Sequence, residues 1–329
     1  MGGIPHGAGP PELGGSPEAE RPAPGVASFA QLDTTNANEE IVMAQTLVDR
    51  KQPAPDTPEG IRDAWDGIAD GYDAFVTATH FRLGDEGVRL AGVRPGMRFL
   101  DVAAGSGGLA IPAARLGAQV LATDVSPVMV ERLAARARDE GLALETRVMD
   151  GHALELEDEV FDVAGSQFGV MLFPEMPRGI RELARVTKPG GRVLMIVFGA
   201  PQQVEFLGFF VKAVQSVIPD FTGLPMDPPP LPFQLQDPER LRRELSGAGL
   251  EDIRVETTVE KLAFHSGAEL WDWLTSSNPI VGMVLGQLAL SDGQQAAVKQ
   301  ALEDMVRARS GGSGPAVLTS PINIGIGTK

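Results

Sequence analysis

An apolar run that closes on an acid and opens into a glycine-rich turn constrains this chain more than any other segment. It reads Phe99-Leu100-Asp101-Val102-Ala103-Ala104-Gly105-Ser106-Gly107-Gly108. A buried strand, then such a turn, then a helical pattern is how a strand–helix–strand unit begins. The glycines let the backbone approach a nucleotide-type ligand closely, and the helix start that follows turns N–H groups toward an anion. The next apolar run, residues 118–123, also closes on an acid, Asp124, 19 residues after Gly105. About 20 residues is the usual spacing from a nucleotide-binding glycine turn to a ribose-binding carboxylate.

Strands and helices alternate from there. Strands are predicted at 98–102, 118–123, 144–148, 161–166 and 192–198, with helices at 108–116, 127–140 and 176–187. This alternation implies an α/β, doubly wound parallel sheet, whose ligands bind beyond the strand C-terminal ends. Asp101, Asp124, Asp150 and the segment Ser166-Gln167-Phe168 all fall at such ends.

Two cofactors share this layout. Gly105, Gly107 and Ala110 also satisfy the dinucleotide pattern, so the glycines alone leave an NAD-dependent oxidoreductase open. Asp101 argues against it, because a carboxylate at the strand end would face a pyrophosphate. It suits a ligand that carries an ammonium group, as S-adenosylmethionine does. Asp150, in Val148-Met149-Asp150-Gly151-His152, is placed to accept from an adenine amino group, and Lys188-Pro189-Gly190-Gly191 leads into a further buried run.

These segments, from about Trp65 to Phe198, resemble the class I S-adenosylmethionine-dependent methyltransferases. Residues 161–174 and Arg181-Glu182-Leu183-Ala184-Arg185-Val186 are similar to the quinone-methylase-like, small-molecule branch. The resemblance implies a seven-stranded Rossmann-like methyltransferase sheet whose last two strands form an antiparallel edge. It places helical lid insertions, about 200–236 and 264–312, above the cofactor. It divides the chain into an N-terminal arm (1–55), a cofactor-binding core with covering helices (56–200), and the lid insertions with the last two strands (201–329). It also implies roles. Asp101, Ala103, Gly105 and Gly107 would hold the methionine portion, and Asp124 the ribose hydroxyls. Val125 and Met129 would flank the adenine, with Asp150, Gly151 and His152 at its amino edge, and Gln167 and Phe168 would lie on the next strand tip. Tyr72, the only tyrosine, would cover the cofactor near its methyl group. Structural readings remain beside these: a helix cap for Asp124, a turn residue for Asp150, a loop histidine at His152 and a core tyrosine at Tyr72.

Methyl transfer from a sulfonium is an in-line displacement that needs alignment and a deprotonated nucleophile but no metal. The expected acceptor is an oxygen or carbon, ahead of nitrogen, on a small apolar metabolite, aromatic, quinone-like or isoprenoid. The aromatic residues of the insertions suit such a substrate. A cofactor-binding protein without methylase activity, regulatory or a partner subunit, is the alternative. His80 and His265 are the candidate general bases, Glu205 is a weaker one, and Thr79 follows the covering helix.

Composition sets outer limits. The net charge of −16 repels phosphate backbones and polyanionic membrane surfaces, which argues against nucleic acid as a partner. The absence of cysteine removes disulfides, thiolate metal sites and a cysteine nucleophile. No apolar run approaches the roughly 18 residues of a membrane span, and the N-terminus lacks the shape of a secretory signal. A cytoplasmic location is the expectation, and a homo-oligomer stays open. Residues 1–25, rich in Gly, Pro and Glu, are expected to be disordered.

Overall fold

The computed structural model describes residues 57–223, 229–277 and 279–329. The expected arm at 1–55 lies outside the described residues. Seven strands form one sheet: β1 (Arg98–Val102), β2 (Gln119–Asp124), β3 (Leu144–Val148), β4 (Phe161–Gln167), β5 (Thr187–Phe198), β6 (Glu251–Phe264) and β7 (Ala316–Thr328). Their order is β3-β2-β1-β4-β5-β7-β6. The first five are parallel, and β7 runs antiparallel between β5 and β6. The direction of winding reverses between β1 and β4, which is where an open α/β sheet leaves a crevice.

Ten α-helices accompany it among the described residues: α1 (Pro58–Gly71), α2 (Phe81–Leu90), α3 (Ala110–Arg115), α4 (Pro127–Asp139), α5 (Met176–Val186), α6 (Glu205–Gln215), α7 (Pro238–Gly247), α8 (Gly267–Ser277), α9 (Pro279–Leu288) and α10 (Asp292–Ser310). Several begin on the same device, a capping side chain followed by proline. Thr57 accepts from the Gly60 N–H, Ser126 from Met129 and Asp237 from Glu239, and Pro58, Pro127 and Pro238 come next. The helix α10 carries a capping box between Ser291 and Gln294, and it ends on Gly311 at φ +64°.

The central strands are buried on both faces, so they read as continuous apolar runs rather than alternating ones. Phe99, Leu100, Val102, Val163, Ala164 and residues 193–197 are all within 2% of full burial. The strand β5 begins at Thr187, earlier than the sequence suggests. The Lys188–Gly191 turn joins the ladder through an irregularity opposite Phe161 and Val163, and Gly190 donates its N–H to Lys329 O at 2.7 Å. A second apolar cluster lies over the far half of the sheet. It draws on α6, α8, α10 and the paired ends of β6 and β7, with Phe206, Phe210, Phe264, Trp271 and Trp273 at its centre. No helix among the described residues is long and apolar enough to cross a membrane.

Between α1 and α2 the chain stays helical but changes pitch, passing through a π-helical turn (Tyr72–Val76) and a 3-10 turn (Thr77–His80). Such irregular turns re-aim side chains that a regular helix would carry past their target. Tyr72 and His80 both line the crevice as a result.

Candidate active site

A cavity of about 450 Å³ occupies the crevice at the strand C-terminal ends. Its floor is built by β1 and β2. Asp101 is 1% exposed, and neither of its carboxylate oxygens has a hydrogen-bond partner among the described residues. Burial pushes its carboxyl well above the ordinary range; the nearby Ala110 backbone N–H opposes part of that rise, and the charge of Asp124 adds to it. Asp124 is itself raised by burial, although it is better supported. Its Oδ2 accepts from the Gly105 N–H at 2.8 Å and its Oδ1 from the Ser126 N–H at 2.9 Å. The glycine turn and the second strand are thus locked together by one carboxylate. That turn is crowded: Gly107 sits at φ +109°, and a Cβ there would lie 2.9 Å from Ile111 and 3.2 Å from Leu133.

The other strand tips supply the walls. At β3 Asp150 takes two bonds from His152, one from the backbone N–H at 2.9 Å and one from Nδ1 at 2.8 Å. Burial opposes ionisation there, but these bonds outweigh it and hold the Asp150 carboxyl below its usual range. The His152 ring stacks on Phe173 with centroids 4.3 Å apart. At β4, Phe168 adopts φ +59°, and Ala103 at the end of β1 adopts φ +55°. Left-handed backbone at a residue other than glycine costs about 1–3 kcal/mol and gathers at functional sites. These two line the same cavity, and Gly169 lets them meet: a Cβ there would lie 2.5 Å from that of Ala103.

The covering segment completes the enclosure. Tyr72 and Trp65 meet edge to face at 6.2 Å. Burial, and then the charges of Asp124, Glu260 and Asp101, hold the Tyr72 phenol well above its ordinary value, so it keeps its proton. His80 is 4% exposed, and its Nδ1 lies 2.8 Å from Glu260 Oε1 on β6.

The structure therefore brings together Tyr72, Asp101, Ala103, Gly105, Asp124, Val125, Met129, Asp150, Gly151, His152, Gln167, Phe168 and His80 around one cavity. It leaves four candidates outside, Thr79 among them. Gly107 packs against α3 and α4 and does not line the wall. His265 is exposed just before α8, where its backbone N–H binds Glu269, and it does not line the cavity. Glu205 is occupied by Arg309 and by the backbone and hydroxyl of Thr319, all at 2.7–2.8 Å. Thr79 accepts from the Trp273 indole at 3.3 Å. Sequence reasoning missed Glu260, although a signal was present. Glu260, Leu262 and Phe264 alternate on the buried face of β6, an acid in line with two apolar residues.

The methyltransferase domain family matches residues 100–195, the stretch from β1 into β5. A demethylmenaquinone methyltransferase of Mycolicibacterium paratuberculosis is 31% identical over 168 residues, covering 49% of this chain and 70% of that one. The chain belongs to the quinone-methylase-like S-adenosylmethionine-dependent methyltransferases. A ubiquinone/menaquinone biosynthesis C-methyltransferase of Bdellovibrio bacteriovorus is 29% identical over 174 residues, 51% of this chain and 74% of that one. An uncharacterized protein of Mycobacterium tuberculosis is 38% identical over 148 residues, 45% of this chain. The chain spans 52% of that relative's length.

S-adenosylmethionine is the cofactor of these methyltransferases, and the cavity fits it on its own terms. An ionised carboxylate buried without a partner is costly, and a ligand ammonium group would remove that cost. Asp101 presents two such oxygens to the cavity.

Proposed function

We propose that this protein transfers the methyl group of S-adenosylmethionine to an oxygen or carbon atom of a small apolar acceptor, aromatic or quinone-like. One observation carries the reading: a single cavity joins the unpartnered carboxylate of Asp101 to a wall of Ile61, Leu172, Phe173, Leu231 and Ile280. The first suits a cationic amino acid group and the second an apolar acceptor.

When bound, the cofactor supplies an electrophilic methyl carbon on a sulfonium. In this reading Asp101 takes its ammonium group and Asp124 its ribose. Val125 and Met129 flank the adenine, with Asp150, Gly151 and His152 at its edge. Trp65 on α1 and Tyr72 on the π-helical turn that follows it close the cavity and exclude water. Holding donor and acceptor in line supplies much of the acceleration, since effective molarities of about 10⁵–10⁸ M are reached in favourable geometry.

The test is incubation with methyl-labelled cofactor and a panel of phenols, hydroquinones and quinone-like acceptors, with calorimetry against S-adenosylhomocysteine. Label in an organic-extractable product is the expected result. Tight cofactor binding without transfer to any acceptor would favour a regulatory or partner-subunit role instead. Stabilisation by NAD rather than by S-adenosylhomocysteine would sink both. A ligand at 100 times its Kd stabilises by about 2.7 kcal/mol, which a thermal shift resolves.

A further inference from the structure

The buried pair formed by His80 and Glu260 is the group the cofactor reading leaves unused. Its two members are 180 residues apart, and both side chains are at most 5% exposed. Ordinary packing would fill such a place with apolar side chains, because an ion pair taken out of water often contributes little net stability. The surroundings are aromatic. Phe168 lies 4.9 Å and Trp273 6.2 Å from the His80 ring, and Phe206 contacts Trp273 at 4.8 Å. The chain invests further contacts in holding the pair. Gln167 Nε2 donates to the His80 carbonyl, and Arg82 donates to the carbonyl of Val259, next to Glu260.

A carboxylate that is ionised only accepts, so with Glu260 in that form the bond puts the hydrogen of a neutral ring on Nδ1 and leaves the Nε2 lone pair free. His80 lines the cavity, and no hydrogen bond reaches its Nε2 among the described residues. A second histidine–carboxylate pair, His152 with Asp150, is made within one turn and is far more exposed, with Asp150 55% open to solvent. Tyr72 keeps its proton and offers no base.

We propose that His80 is the general base for an acceptor carrying an aromatic hydroxyl, a phenol or hydroquinone, and that Glu260 is its positioning residue. This rests on the methyl-transfer reading above and narrows it to hydroxyl-bearing acceptors. The balance closes without any redox partner. The acceptor O–H bond breaks and its proton passes to His80 Nε2. An O–CH₃ bond forms as the C–S bond breaks, with that electron pair remaining on sulfur. The imidazolium, stabilised beside Glu260, releases the proton to water after the product leaves. The same base would serve transfer to the ring carbon beside the hydroxyl: the hydroxyl proton leaves as the C–CH₃ bond forms, and the ring-carbon proton then leaves as the oxygen is reprotonated, which restores the aromatic ring.

The experiment compares wild type with His80→Gln, Glu260→Gln and Glu260→Asp on the best hydroxyaromatic acceptor of the panel. The first should lower kcat by about 10²–10⁴-fold while S-adenosylhomocysteine affinity stays within about twofold. Glu260→Gln should lower kcat at little change in KM. It should also move the acid limb of the kcat profile to lower pH, because the ring loses its anionic neighbour. Of the other titratable groups on the cavity, Asp101 and Asp124 carry no contribution from Glu260, and Tyr72 loses the charge of Glu260 in that variant while burial still holds the phenol up. If Glu260→Gln does not fold, Glu260→Asp keeps the charge, shortens the reach and should fall between. A readout without turnover is ¹⁵N NMR of the free protein. The expected His80 signature is the Nδ1–H tautomer, lost in Glu260→Gln. Full kcat in His80→Gln at all pH values, or an Nε2–H tautomer in wild type, overturns the inference and leaves the methyl-transfer reading standing. Transfer only to acceptors without a hydroxyl overturns the acceptor class. Absence of transfer despite cofactor binding overturns the parent reading and this one with it, even where the tautomer is as expected.

Discussion

In the proposed reading the cavity has a cofactor half and an acceptor half, and the two are made in different ways. In the cofactor half, at the tips of β1, β2 and β3, each acid is placed by its own strand, and two are held by near neighbours. Asp124 is held by Ser126 and by Gly105, and Asp150 by His152. In the acceptor half the contacts span the chain. His80 reaches Glu260 across 180 residues, and Trp273 reaches Thr79 across 194. The cofactor half is a local device that a sheet of this order presents wherever it forms. The half that holds His80 and Glu260 forms only when β6 and α8 have packed against the turn that carries His80.

The sharpest way to break that contrast is at Asp101. Its folded pKa lies above the ordinary 3.8, so between those two values the folded protein holds a proton that the unfolded chain has released. Stability of the free protein therefore falls as pH rises through that window. Cofactor binding should have the opposite sense, because the ammonium group needs the ionised carboxylate: affinity falls as pH drops through the same window. Asp101→Asn removes both effects. It should cost about 2–5 kcal/mol of cofactor affinity, the usual loss when one partner of a buried charge pair is truncated. The melting temperature of the free protein should hold or rise at pH 7. Calorimetry and thermal melts across pH check the two signs. A destabilised free protein would mean that the carboxylate has a structural partner.

At Asp124 binding and folding are coupled. The sequence offers Asp124 as a ribose-binding residue or a helix cap, and the structure has it accept two backbone N–H groups that the fold needs paired. Stranding buried donors costs about 1–3 kcal/mol each, so Asp124→Ala should lose about 2–4 kcal/mol of stability together with cofactor affinity. Asp124→Asn keeps an acceptor oxygen and should lose less stability than affinity. Equal melting temperatures for wild type and Asp124→Ala would remove the structural part of this account.

The same division explains what could be read before folding. Asp101, Gly105, Asp124 and Asp150 were legible because a strand end and a glycine turn are contiguous features, and strand register then brings the ends together. Glu260 lies on β6, and its importance depends on which face of that strand is buried, which is set by β7 and the helices packed against it. Gly107 fits the motif yet serves packing against Ile111 and Leu133. His265 looked equivalent to His80 in one dimension, and only the placement of α8 separates an exposed histidine from a buried one. Residues 1–55 lie outside the described residues.

Gly84 joins the halves and gives a smaller test. A Cβ there would run into the Gly108 carbonyl oxygen and lie 2.9 Å from Pro112. The helix α2 can rest on the glycine turn only because that Cβ is missing. Gly84→Ala should destabilise by about 1–3 kcal/mol, as overpacking does, and should also weaken cofactor binding because the turn must shift. A loss of stability with unchanged affinity would mean that the turn is buffered from the covering helices.

The smallest expected effect lies wholly in the acceptor half, at Thr79. Its hydroxyl donates to Val76 O at 2.6 Å and accepts from the Trp273 indole at 3.3 Å, tying the 3-10 turn that carries His80 to α8. Trp273 is 2% exposed and packs against Phe206, Phe264 and the His80 ring. Thr79→Val preserves shape and removes both bonds. The indole N–H then loses its acceptor, for about 1 kcal/mol. Because Thr79 touches none of the strand-tip acids, cofactor affinity should be unchanged while turnover falls through looser placement of His80. If cofactor affinity dropped as well, the two halves would be energetically one unit, and the independence argued from their construction would be lost.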